Sequence, residues 1–199
     1  MNIANFSIDI LLIPIQVVIF GAVIYYAVKK SRERESFLKR LAESFGVKLP
    51  AFSFYPSLKA VFNGRPFTLN LIPESKNSPA HIQISYFKEG FIKIKIYRES
   101  VFSEAGKRMG LVREVKTGDN AFDKEFLIFS DKMDQAQAYF YHTKTKDTVR
   151  ELFNIGFRSI ICDNKKVFLD KPVNSLENDL DPSKFKEILT KVDYISQRL

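Results

Sequence analysis

The densest group of residues able to do chemistry is Thr117-Gly118-Asp119-Asn120-Ala121-Phe122-Asp123-Lys124-Glu125-Phe126. Asp119, Asp123 and Glu125 place three carboxylates within seven residues, enough for an acid–base pair or a cation site. Their order is not that of a calcium loop. Each letter also has a use in folding. Gly118 permits a turn, and Asp119 can cap a helical turn through its side-chain oxygen. Phe122 and Phe126, four apart, can both enter a core. Asp123 can cap, or pair with Arg113 or Lys116. Folding roles cover Gly118, Asp119, Phe122, Asp123 and Phe126, so the motif is expected to be structural. An enzyme with its site around Gly118-Asp119 and Phe122-Asp123 is the alternative.

Elsewhere the chemistry is sparse. The two histidines, His81 and His142, and the single Cys162 make no zinc pattern. His142 follows Tyr139-Phe140-Tyr141 and is expected to complement a helix C-terminus. Cys162 sits in the apolar run Ser159-Ile160-Ile161 and reads as a small buried hydrophobe. No G-x-S-x-G element and no phosphate-cradling glycine loop is present. No catalytic residue, metal ligand or cofactor is assigned. Lys93, Lys95, Lys107, Arg108, Arg113 and Lys116 come without any nucleic-acid signature, so no nucleic-acid partner is expected.

The elements that would carry these residues begin with an uncharged run of 19 residues, Ile10 to Val28. As a helix it would reach roughly 28 Å, close to the thickness of a hydrocarbon core. A cleaved signal peptide would need basic residues before the run and a small-x-small site after it. Residues 1–9 hold no Lys or Arg, and no such site follows Ala22. The expected organisation is a short external tail over 1–9, a transmembrane helix over 10–28, a basic juxtamembrane helix or linker over 29–49 and a cytoplasmic domain over 50–199. Lys29, Lys30, Arg32, Arg34, Lys39 and Arg40 follow the run against only Glu33 and Glu35. That bias puts the N-terminus outside and the domain at the cytoplasmic face of an inner or plasma membrane. It also suggests contact with anionic lipid headgroups.

Within the domain the period changes. Phe37, Leu38, Leu41 and Phe45 recur at helical spacing before Gly46, a stripe expected to pack on the domain. Lys59–Phe62 and Arg65–Ile72 flank Asn63-Gly64 as a tight hairpin. Ala80–Phe87 and Phe91–Tyr97 alternate cleanly, and Lys88-Glu89-Gly90 between them predicts a second hairpin. Leu111–Val115 is a further candidate strand. Strand Glu125–Phe129 precedes helices over Asp134–Tyr141 and Lys144–Ile155. A hairpin around Asp163-Asn164-Lys165 follows. A final helix starts at Asp181, with Phe185, Ile188, Leu189, Val192 and Ile195 as its buried stripe. The class is α+β: an N-terminal transmembrane helix, then a mainly antiparallel sheet with packed helices and a C-terminal amphipathic helix. Hairpins followed by such a helix would also suit a pleckstrin-like lipid-binding barrel.

The G-D-x-x-F-D-x-x-F letters resemble a signature of a loose group of uncharacterised bacterial proteins with an N-terminal membrane helix. Asn63-Gly64-Arg65 on an early hairpin and Val149-Arg150-Glu151-Leu152 on a late helix extend the resemblance over most of residues 50–170. It implies a shared fold and no activity. The functional expectation is a single-pass, membrane-anchored binding module, touching the bilayer through Ile10–Val28 and a protein partner or the membrane surface through its domain.

Overall fold

The computed structural model describes residues 4–49, 57–90, 92–99 and 114–198, with side chains from Gln16 onward. One helix, α1 (Ala4–Glu43), runs through the apolar stretch and on into the domain without a break. It ends as Gly46 N–H bonds to the Glu43 carbonyl and Val47 N–H to the Ala42 carbonyl, a Schellman closure. Among the described residues no helix is long and apolar enough to cross a membrane. The side chains of Ile10–Ile15, the first part of the expected span, lie outside the described residues.

Seven strands follow: β1 (Ser57–Phe62), β2 (Arg65–Ile72), β3 (His81–Phe87), β4 (Ile94–Arg98), β5 (Phe126–Ser130), β6 (Ser159–Cys162) and β7 (Lys166–Pro172). They form one antiparallel sheet in the order β1-β2-β3-β7-β6-β4-β5. The described helices after α1 are α2 (Asn120–Glu125), α3 (Met133–Tyr139), α4 (Thr143–Asn154), α5 (Leu176–Asp179) and α6 (Pro182–Gln197). The fold is α+β, with β1 and β5 at opposite ends of the strand order among the described residues rather than closed on each other as in a pleckstrin-like barrel.

Alternation along each strand sends one set of residues to a single face. Leu58, Leu69, Ile84, Leu169, Ile160, Ile96 and Ile128 are register partners in one row across all seven strands. All seven are essentially inaccessible to solvent. Helices cover this row. Phe185 of α6 packs on Phe67, and Phe153 of α4 packs on Phe126. The end of α1 joins them, with Leu38, Leu41 and Ala42 fully buried and the Phe45 ring 5.1 Å from that of Phe67. The stripe expected to pack on the domain does so.

The Asn63-Gly64 turn has φ of 49° and 76°, the doubly positive geometry of a two-residue hairpin, which only residues tolerant of the left-handed region adopt. The hairpins β1–β2 and β6–β7 form as their sequences imply. The hairpin expected between Ala80–Phe87 and Phe91–Tyr97 does not form. β3 pairs with β2 and β7, whereas β4 pairs with β5 and β6. The β6–β7 hairpin occupies the space between them, so the chain from Lys88 must cross three strand spacings, about 14 Å. Six residues reach that far. The crossing is held where Lys88 N–H bonds to the Lys165 carbonyl and Gly90 N–H to the Asn164 carbonyl. A short connector permits a hairpin but does not select it; the register of the aliphatic row does. Of the candidate strand Leu111–Val115, residues 111–113 lie outside the described residues, while Glu114 and Val115 pair with β5.

Replacing Leu169, in the middle of the row, with Ala is expected to cost about 2–5 kcal/mol of unfolding free energy. Lys59→Ala, at the exposed edge, should change it by less than about 0.5 kcal/mol. Urea unfolding of the purified chain, followed by circular dichroism, measures both.

Candidate functional site

The Gly-Asp motif is the junction between the Thr117 turn, α2 and β5. Gly118 takes φ of 82°, which an L side chain would strain. Asp119 is the N-cap of α2, its Oδ1 accepting from Ala121 N–H and Phe122 N–H at 3.1 Å each. Its Oδ2 accepts from Lys146 Nζ of α4 at 2.8 Å. The lysine hydrogen bond, then the cap N–H groups, hold this carboxyl below the usual carboxylate range.

No ion pair joins Asp123 to Lys116, one of the two bases expected for it. Arg113 lies outside the described residues, and Lys116 is engaged by Glu114. The Asp123 carboxylate instead accepts from Thr117 N–H, the Thr117 hydroxyl and Gly118 N–H, at 2.8 to 3.2 Å. It closes the turn that precedes its own helix. Glu125 bridges Arg98 and Arg150 at 3.3 Å each. Phe122 and Phe126 are buried, 4.8 Å apart, and extend to Phe140 and Phe153. The lone pairs of Asp119 and Asp123 are thus taken up by a helix cap, a turn and the Lys146 ammonium, which leaves little for a reacting group.

His142 is not at the end of a helix C-terminus. It is the N-cap residue of α4, with no side-chain cap bond, because α3 stops at Tyr139 and the chain turns before α4. Cys162 is buried, and burial pushes its thiol up to about 12, so it carries no thiolate at neutral pH.

Two polar clusters were not singled out in the sequence. In one, Asp193 of α6, 5% exposed, accepts from Arg65 at 3.0 Å, Tyr86 at 2.8 Å, and Asn63 and Gln197 at 3.0 Å. Arg65 also donates to the Ser196 hydroxyl at 2.8 Å, and Lys88 to the Ser196 carbonyl. Burial, then the bond to Asp193, pushes the Tyr86 phenol up; burial, then Arg65, pushes the Lys88 ammonium down. This cluster clamps the β1–β2 turn to the C-terminal helix. Its signal was a carboxylate placed between Val192 and Ile195 of an apolar stripe.

In the other, His81 Nδ1 meets Asp170 at 3.0 Å and His81 Nε2 meets the Ser78 hydroxyl at 3.2 Å. A Ser–His–Asp line alone is not a nucleophilic site; acyl transfer also needs hydrogen-bond donors aimed at the developing oxyanion. Ser78 N–H is given to the Ser75 carbonyl, and the next residue, Pro79, has none. The line ties the β2–β3 loop to β7.

The basic residues fall into groups. Lys30 pairs with Glu74 of the β2–β3 loop, and Arg34 adds to the charge around that carboxylate. The Arg40 guanidinium stacks over Phe37 at 4.5 Å. Lys39 is exposed. Lys29 and Arg32 are exposed and have no ion pair among the described residues.

No protein-family model and no curated protein matches the sequence. The fold is similar to that in the crystal structure of the mycobacterial trehalose monomycolate transport factor A, TtfA. The two superpose with a TM-score of 0.55 at 12% sequence identity, over 85% of this chain and 93% of that chain. At that identity the likeness is one of fold.

Two outcomes follow from this geometry. Asp193→Ala leaves Arg65 without its carboxylate and is expected to cost about 3 kcal/mol, read by chemical denaturation. Asp119 and Asp181, the latter held low first by the Ser183 hydroxyl, have depressed folded values. Their stabilisation is present above about pH 4 and is lost as pH falls through the folded values. Asp119→Asn should therefore lower Tm at pH 7, and the difference from the native chain should shrink as pH falls below about 4.

Proposed function

We propose that the chain is a single-pass, membrane-anchored interaction module, with Ile10–Val28 in the bilayer, the N-terminus outside and the α+β domain at the cytoplasmic face. The observation that carries this reading is the division of α1. Its C-terminal part puts Leu38, Leu41 and Ala42 into the core, while Val17, Ile19, Phe20, Val23 and Tyr25 further up stand more than half exposed. A continuous exposed apolar surface is costly in water and is favoured in hydrocarbon. Six basic residues between 29 and 40 support the orientation. Spent carboxylates in the Gly-Asp motif favour binding over catalysis.

Alkaline carbonate should leave the full chain in the membrane pellet and detergent should release it. Protease added to intact spheroplasts should spare the domain. Release by carbonate would refute the anchor. Asp119→Asn and Asp123→Asn should reduce cellular function only as far as they reduce the amount of folded protein. Full loss of function with folding intact would favour the enzyme alternative.

A further inference from the structure

Sequence alone presents six equivalent cations at the membrane edge, and the structure separates them. Lys30 pairs with Glu74 of the β2–β3 loop, and the charge of Arg34 acts on the same carboxylate. Arg40 lies on Phe37, and Lys39 is about 10 Å further from the span than Arg32 at the helical rise. Lys29 and Arg32 remain. They share one concave strip of α1 with Gly21, Ile24, Tyr25 and Val28, at the i, i+4, i+7 and i+11 spacing of one helix face. The strip is apolar for about 10 Å and then turns basic. Ile24, Tyr25 and Val28 on it are 48%, 71% and 38% exposed, so no other described element fills it. Gly21 has nothing within 4 Å of where a Cβ would stand, which leaves the strip open at its upper end. Glu33 flanks the basic end, and the two cations outweigh it.

We propose that this strip binds one anionic phospholipid, its acyl chain along Gly21, Ile24, Tyr25 and Val28 and its phosphate between Lys29 and Arg32. The inference rests on the membrane-anchored reading above and adds the ligand's class and place. Apolar contact fixes the chain. Arg32 offers a planar fork to the phosphate oxygens and Lys29 a point charge beside it. Charge complementarity selects an anionic over a zwitterionic lipid. Because Lys30 is held by Glu74, the lipid and the domain grip opposite sides of the same helical turn.

The test reconstitutes the full chain in phosphatidylcholine vesicles containing a trace of spin-labelled phosphatidylglycerol or spin-labelled phosphatidylcholine. Electron paramagnetic resonance then reads the motionally restricted fraction. The expected result is a several-fold larger restricted fraction for phosphatidylglycerol. It should fall to the phosphatidylcholine level in K29Q/R32Q and be retained in K39Q/R40Q. Equal fractions for the two lipids in the native chain overturn the proposal, as does an equal loss in both double variants. If the native chain fails to float with phosphatidylcholine vesicles at all, the anchor itself is refuted, and the lipid site with it.

Discussion

The row of seven aliphatic side chains from Leu58 to Ile128 is the constraint on which the remaining structure depends. Each strand contributes one member, and a slip of one residue in any strand would turn its member to the opposite face. Helices α4 and α6 and the end of α1 need this surface to bury their own stripes. The polar links then act on parts already in place. Asp193 reaches Asn63 and Arg65 only because β1, β2 and α6 meet at one corner of the row. Asp119 reaches Lys146 only because α2 is packed beside α4 by Phe122 and Phe126.

The row also explains which parts of the fold could be read beforehand. Alternation in Ile82–Ile84, Ile94–Ile96 and Phe67–Leu71 identifies strands and their buried faces, since side-chain direction is a local property. The Asn63-Gly64 turn and the Asp181-Pro182 helix start are equally local, and both appear as expected. Neighbour choice is not local. Lys88-Glu89-Gly90 is compatible with a hairpin, yet β7 offers Leu169 to Ile84 and β6 offers Ile160 to Ile96. Inserting that hairpin gives both strands aliphatic neighbours on each side. Nothing within residues 80–97 carries this information.

The same division holds for the candidate site. Gly118 and Asp119 announce a turn and a cap through their own backbone, and the structure supplies both. The Ser78–His81–Asp170 line and the Asp193 cluster join residues 89 and 128 positions apart, and their partners follow from sheet order. A carboxylate inside an apolar helical stripe was the one local trace of the Asp193 cluster. Such a group costs free energy unless fully hydrogen-bonded, so its presence requires donors from another element. Asn63, Arg65 and Tyr86 are those donors.

α1 carries the consequences of the core out of the domain. Leu38, Leu41 and Ala42 are locked against the sheet, and no break in the helix separates them from Val17–Val28. A straight helix transmits rotation, so fixing Leu38 and Leu41 also fixes which way every residue higher on the rod faces. Lys30 therefore meets Glu74, and the face holding Lys29 and Arg32 points elsewhere. Composition would count these cations as interchangeable. Helical phase, set by packing about ten residues away, makes them different: Lys30 braces the β2–β3 loop through Glu74, and Lys29 and Arg32 stay open beside an apolar strip. The specificity of the helix surface is thus inherited from the hydrophobic core, with no further sequence signal needed at the surface itself.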